Sequence, residues 1–274
     1  MISSDMPMAR NALKARLARG ELAVSLIVRM ARTPDIALVA QASGFDALYV
    51  DLEHSPLSLE TASAICIASQ AAGVTPLARV PEASAAWISR VLDSGAAGVI
   101  VPHVDHADAA RAAVALAKYP PHGHRSVSTT LPQLAYRTLP ADDTRRRIND
   151  ETLVVAMIES SRGVEQADAI AAVPGVDMLL VGAGDLAADL GIAGQPDHDA
   201  RMQAAFDTVI AACRRHGKAA GAGGLAGRPD LLASLVARGV RFVSAGTDTG
   251  FLLSAAQAKV TALRAQCLPG AARG

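Results

Sequence analysis

The chain has 274 residues, 51% hydrophobic and 19% charged, so it can bury a large core and does not read as disordered. Lys+Arg and Asp+Glu both number 26 and aromatic residues make up only 3%, which argues against nucleic acid, an anionic membrane surface or a base-stacking platform as partner. Three scattered cysteines, Cys66, Cys213 and Cys267, form no CxxC pair and fit a reducing, cytoplasmic compartment. The first twenty residues hold no apolar signal region, and no apolar segment reaches eighteen residues, so neither a signal peptide nor a membrane span is expected.

Eight short apolar runs recur along the chain. The first four are LAVSLIV (22–28), ALYVDLE (47–53), TPLARV (75–80) and GVIVPHV (98–104). The others are LVVAMIES (153–160), DMLLVGA (177–183), KAAGAGG (218–224) and VRFVSAG (240–246). Most are near-continuous rather than alternating, as parallel strands buried on both faces are. KAAGAGG has little strand propensity of its own and is placed by its position in the series.

Between the runs lie Ala-rich stretches with helix signals. Thr33-Pro34-Asp35 opens the first, Ser58 the second, Ser84 the third, Asp105 or His106 the fourth, and Arg228-Pro229-Asp230 a later one. Several units end in Gly just before the next run, as a helix C-cap does. Eight such units predict a (β/α)8 TIM barrel. A doubly wound open sheet would carry a phosphate-binding glycine fingerprint near its first βα turn, and LIVRMARTPD has none. The chain is expected to be a single barrel domain over 1–274, with the barrel proper at about 20–265. The segment 119–152 breaks the rhythm and is read as a long βα loop insertion, a functional excursion or lid. The tail 268–274 is expected to be flexible.

In a barrel of this kind the C-terminal strand ends build the site. Here they carry Asp51, Glu53, His54, Arg79, His103, Asp105, Glu159, Asp185 and Asp248. Glu159 and Asp185 end successive strands, so they can converge on a divalent ion of the Mg²⁺ or Mn²⁺ type. The remaining positions of an octahedron would suit a bidentate 2-oxo acid and water. No His/Cys cluster has zinc spacing. Arg79, among apolar neighbours, needs a partner: a structural carboxylate, a substrate carboxylate or an enolate oxygen. His54 has the intrinsic pKa for proton transfer near pH 7. Asp93 ends a helix, where its charge opposes the dipole, and His54 is a candidate partner. Gly182 and Gly184 allow close backbone approach, and N–H groups near Asp185 could bind a carboxylate. Lys14, Lys118, Lys218 and Lys259 all stand away from the expected rim, which weakens a Schiff-base mechanism. A GxSxG nucleophile elbow is absent.

GFDALYVDLEHSPLSLET, LARVP, LDSGAAGVIVPHVDHADAA, YPPHGHRSVS, MIESSRGVEQADAI and VDMLLVGAGDLAADLG together resemble the HpcH/HpaI family of metal-dependent class II pyruvate aldolases. The resemblance runs in order from about residue 20 to 265. It implies a (β/α)8 barrel, a hexamer built as a trimer of dimers with the last helix exchanged, and Mg²⁺, Mn²⁺ or Co²⁺ held by Glu159 and Asp185. It implies His54 as acid/base residue with Asp93 as its dyad partner. It also implies Arg79 on the pyruvate oxygen, with Gly184 and Asp185 near the pyruvate carboxylate. Three positions depart from the family's pattern: Met157 for Gln, Ala183 for Pro and Ser126 for Gly. They bear on the acceptor rather than on the reaction class. The reaction so implied is reversible aldol cleavage of a 4-hydroxy-2-oxo acid into pyruvate and an aldehyde, with oxaloacetate decarboxylation as a side activity. Two alternatives stand beside it: a citryl- or malyl-CoA lyase-like enzyme, and a non-catalytic protein that binds a 2-oxo acid.

Overall fold

A computed structural model describes residues 10–193 and 200–267. In chain order its first elements are α1 (Ala12–Ala18), β1 (Ala23–Val28), α2 (Ile36–Ala42), β2 (Ala47–Asp51), α3 (Leu59–Ala71) and β3 (Thr75–Arg79). Then come α4 (Ala85–Asp93), β4 (Gly98–Val101), α5 (Ala107–Ala117), α6 (Ala141–Glu151), β5 (Leu153–Ile158), α7 (Ser161–Glu165) and α8 (Ala167–Ala171). The series ends with β6 (Met178–Gly182), α9 (Ala183–Asp189), α10 (Ala200–Arg215), β7 (Ala219–Gly223), α11 (Pro229–Arg238), β8 (Val240–Thr247) and α12 (Asp248–Cys267). The eight strands pair in parallel in chain order and close into a barrel, the TIM-barrel architecture the repeat predicts. KAAGAGG does form a strand, β7, held by neighbours on both sides rather than by its own propensity.

Side chains alternate across the strands, and this sorts the core into two parts. Tyr49, Leu77, Ile100, Val155, Met157, Leu180 and Phe242 form one cluster inside the barrel, plugged from below by Leu13 of α1. Leu48, Val50, Ala78, Val99, Val154, Ile158 and Leu179 belong to the larger cluster between strands and helices. The same parity carries Asp51 after Tyr49, Arg79 after Leu77 and Glu159 after Met157 to the inner top of the barrel. Asp51 and Arg79 are also direct register partners on β2 and β3. A one-residue slip would turn both away from the site.

Helix starts follow the polar residues read from the sequence. Ser58 accepts from the Thr61 N–H, His106 from the Ala109 N–H, and Ser160 from the Gly163 N–H. Ser84 and Asp35 stand at N-caps without making a side-chain cap bond.

The segment 119–152 is not the βα excursion expected. It leaves the end of α5 and enters β5, so it is an αβ connection at the N-terminal end of the barrel, opposite the rim. Its core is Tyr119, Leu131, Leu134 and Ile148. Gln133 Nε2 donates to the Ala96 carbonyl at 2.9 Å, and Asn11 Nδ2 to the Glu151 carbonyl at 2.8 Å. Lys118 is buried beside it and donates to the carbonyls of Asn149 and Thr152 at 2.6 and 2.5 Å, with burial pushing its pKa down to about 8. The segment therefore closes the bottom of the barrel and does not cover the rim of its own chain. The expected flexible tail, 268–274, lies outside the described residues. Among those described, no helix is long and apolar enough to cross a membrane.

Candidate active site

The C-terminal rim encloses a cavity of about 530 Å³ lined by Arg29, His54, Arg79, Glu159, Gly184 and Asp185, with Tyr49 and Met157 in its floor. No lysine lines it.

Asp51 organises one side. Its carboxylate is fully buried and accepts from Arg79 Nε at 3.0 Å and Nη2 at 2.7 Å, and from Arg29 Nε at 2.6 Å. Its Oδ1 also accepts from the N–H groups of Glu53 and His54, both at 3.2 Å. This Asx-type turn ends β2 and throws His54 outward. Burial pushes the Asp51 carboxyl up, but the hydrogen bonds and charge of Arg79 outweigh it and hold the group below the usual carboxylate range. Glu53 serves the same guanidinium from another side, with its Oε2 standing 2.8 Å from Arg79 Nη1 as an ion pair. Arg79 is 3% exposed and lies 5.5 Å above the Tyr49 ring, with Met157 Sδ 3.9 Å from Nη1. Met157 thus puts a soft sulfur beside this guanidinium.

His54 is half-exposed, and its Nε2 lies 3.8 Å from Glu53 Oε2. Asp93 is not beside it. Asp93 ends α4, and a helix that follows a strand runs back down the barrel, so its C-terminus lies at the opposite end from the rim. There Asp93 accepts from Arg125 Nη2 at 2.5 Å. Within one chain the expected His54–Asp93 dyad does not form.

Glu159 faces these groups from β5. It is 4% exposed, its Oε2 accepts from the His103 N–H at 3.1 Å, and its Oε1 has no hydrogen-bond partner. His103 takes a left-handed backbone, φ 52°, to present that N–H. Burial raises the pKa of Glu159, the His103 N–H opposes the rise, and Glu53 and Asp185 add to it. A buried, orphaned carboxylate oxygen pressed by a second carboxylate is a place where a cation fits. Asp185, in the first turn of α9, is the other hard oxygen donor. Among the described residues no three His, Cys, Asp or Glu side chains form a cage, so the protein would supply two ligands and leave the rest open. Gly182 makes room for this carboxylate. A Cβ there would meet Glu159 Oε1 at 2.7 Å and Met157 Cε at 2.8 Å. Gly182→Ala is accordingly expected to displace Glu159 and lower kcat/KM about 100-fold, checked by steady-state kinetics alongside a thermal melt.

Sequence reading missed Arg29 and left Glu53 without a role. Arg29 follows Ile27 in the inward parity of β1, which is the signal that could have found it. Nothing local marks Glu53, whose partner is 26 residues away in sequence.

The protein family described as HpcH/HpaI aldolase/citrate lyase matches residues 26–255. The chain is 46% identical over 217 residues to a 4-hydroxy-4-methyl-2-oxoglutarate aldolase of Hapsidospora irregularis, covering 78% of this chain and 80% of that one. It is 35% identical to a 4-hydroxy-2-oxo-heptane-1,7-dioate aldolase of Salmonella arizonae, covering 91% and 93%. The crystal structure of an HpcH/HpaI aldolase from Desulfitobacterium hafniense superposes with a TM-score of 0.88 at 31% identity, covering 93% and 97%. With a parallel barrel, an acidic pair just after β5 and in α9, and matches along nearly the whole length, this chain belongs to the HpcH/HpaI aldolase/citrate lyase family.

Proposed function

We propose that the protein cleaves a 4-hydroxy-2-oxo acid between C3 and C4, reversibly, giving pyruvate and a carbonyl compound. One observation carries this reading: a buried guanidinium, a half-exposed imidazole and a carboxylate pair with an orphaned oxygen share one cavity. Glu159 and Asp185 would hold a divalent cation such as Mg²⁺, Mn²⁺ or Co²⁺. That ion would supply Lewis-acid stabilisation of the 2-oxo acid when bound.

The side chains define the remaining steps. His54 accepts the proton of the 4-hydroxyl as the C4 carbonyl forms. The electron pair of the broken C3–C4 bond moves to C3, giving the enolate of pyruvate. Arg79 faces the developing oxygen charge, and Asp51 and Glu53 fix its orientation so that little reorganisation is needed. Gly184 and the Asp185 backbone face the substrate carboxylate. Protonation at C3 releases pyruvate. The same enolate follows from decarboxylation of oxaloacetate.

The test is pyruvate release from 4-hydroxy-2-oxo acids by metal-stripped protein, with and without Mn²⁺, Mg²⁺ or Co²⁺. Turnover restored by metal supports the reading. Turnover indifferent to metal and chelator would overturn the role of the two carboxylates.

Assembly and location are part of the proposal. After Asp248 every residue of α12 is exposed, including Phe251, Leu252, Leu253, Val260 and Leu263. A 20-residue helix with this much uncovered apolar surface needs a partner. The family's hexamer with an exchanged last helix supplies one, and a dyad between His54 and Asp93 then requires a second copy of the chain. Leu253→Asp with Leu263→Asp is expected to reduce the assembly to smaller species in size-exclusion chromatography with light scattering. The free thiols Cys66, Cys213 and Cys267 suit a cytoplasmic protein.

A further inference from the structure

We propose that Arg29 reads a carboxylate on the acceptor half of the substrate, so that the carbonyl compound released from C4 is itself an acid. This rests on the aldolase reading above and deepens it.

Two guanidiniums line the cavity, and they are committed differently. Arg79 has each of its three nitrogens against a carboxylate. Arg29 uses only Nε, on Asp51, and neither Nη1 nor Nη2 makes a hydrogen bond to a described residue. Its side chain is 36% exposed and borders the cavity. It is nonetheless held in place at both ends. Its backbone N–H donates to Asp248 Oδ1 at 3.1 Å, and Asp248 also accepts from the N–H groups of Met30 and Ala31 at 2.9 and 2.8 Å. A fixed guanidinium with two free N–H-bearing nitrogens is a ready fork for a carboxylate.

The location selects which carboxylate. In a closed eight-stranded barrel β1 and β2 lie opposite β5 and β6. Glu159 and Asp185, at β5 and β6, take the 2-oxo acid end. His54, after β2, takes the 4-hydroxyl. Arg29, after β1, shares Asp51 with the turn that carries His54 and stands across the barrel from the carboxylate pair, on the side where substituents on C4 would lie. The neighbouring lining from β8 and α12 is neutral: Ser244, Thr247 and Phe251. With Asp51 on its Nε edge and neutral residues on the cavity side, the free edge of the Arg29 guanidinium favours an anionic substituent over an alkyl one. For 4-hydroxy-4-methyl-2-oxoglutarate the O–H proton goes to the base, the C3–C4 pair goes to C3, and C4 becomes the carbonyl of a second pyruvate. Both products are then 2-oxo acids, and atoms balance without a co-reactant.

The experiment compares pyruvate release, with Mn²⁺ present, from 4-hydroxy-4-methyl-2-oxoglutarate and from 4-hydroxy-4-methyl-2-oxopentanoate, in which a methyl replaces the second carboxylate. Wild type, Arg29→Gln and Arg29→Lys are assayed. Arg29→Gln is expected to lose about 10- to 100-fold more kcat/KM on the diacid than on the monoacid, mostly in KM. Arg29→Lys, which keeps the charge but loses the fork, should lower the same ratio by less, and it serves if the Gln variant folds poorly. An equal fall on both substrates would mean that Arg29 only props Asp51, and the proposal fails while the aldolase reading stands. A wild type that releases pyruvate from the monoacid as well as from the diacid likewise overturns it. No pyruvate from either substrate overturns the aldolase reading, and this inference with it.

Discussion

Glu159→Gln is expected to abolish metal-dependent turnover, by about a thousandfold or more, and at the same time to raise the melting temperature of the metal-free protein. Both effects have one cause. Glu159 is buried, its Oε1 has no partner, and burial with neighbouring negative charge makes its ionised form costly. Without a cation this charge destabilises the fold, and Gln removes it at nearly constant volume, for a gain of about 1–2 kcal/mol. With a cation the same charge is the binding determinant, worth several kcal/mol of transition-state stabilisation. Differential scanning calorimetry in EDTA and then in Mn²⁺ separates the two. Wild type should melt lower than Glu159→Gln in EDTA and gain on adding metal, since a ligand of the folded state stabilises it by mass action. Glu159→Gln should gain little. Asp185→Asn should also lose turnover and the metal-induced gain, but without the rise in EDTA, because Asp185 is exposed. If both substitutions leave the metal response intact, the carboxylate pair is not the metal site.

Much of this is legible in the chain. The barrel follows from eight apolar runs separated by capped helices, because each βα unit is a local pattern. The inner top of the barrel follows too: Asp51, Arg79 and Glu159 each continue the inward parity of a strand. Vertical placement is where the sequence misleads. Asp93 reads as a partner of His54 and the segment 119–152 as a βα loop, yet a helix after a strand runs back to the opposite end, and whatever follows it starts there. That rule is available from the alternation alone and keeps both away from His54 of the same chain. Arg29, Glu53 and His103 differ in kind. Arg29 and Glu53 take their roles from residues on neighbouring strands, and His103 from Glu159 just after β5, and such pairs exist only once the barrel closes. The motif at the end of β2 shows the distinction. Asp51, Glu53 and His54 end one strand together, but Asp51 and Glu53 serve Arg79, and only His54 turns to the substrate side.

That division of labour makes Asp51→Asn the substitution expected to cost the fold most. The Asp51 carboxylate answers two guanidiniums and two backbone N–H groups while fully buried. Asparagine keeps the shape but loses the charge, and its amide turns a donor toward donors. Arg79, 3% exposed, then has only Glu53 to face, and Arg29 has no carboxylate. Breaking a buried pair from one side typically costs about 3–5 kcal/mol. For a chain of this size that corresponds to a fall of roughly 6–15 °C in Tm. Activity should fall as well, since Arg79 and the His54 turn both lose their anchor. The pH dependence identifies the cause. The folded-state pKa of Asp51 lies below its unfolded value. Its contribution is therefore fully present above the ordinary carboxylate range and is lost as pH falls through the folded value, where the wild type binds the proton too. The stability gap between wild type and Asp51→Asn, read from urea melts, should be widest near neutral pH and narrow steadily below about pH 4. A gap that stays constant into acid would mean the amide's shape, not the missing charge, is what the site fails to tolerate.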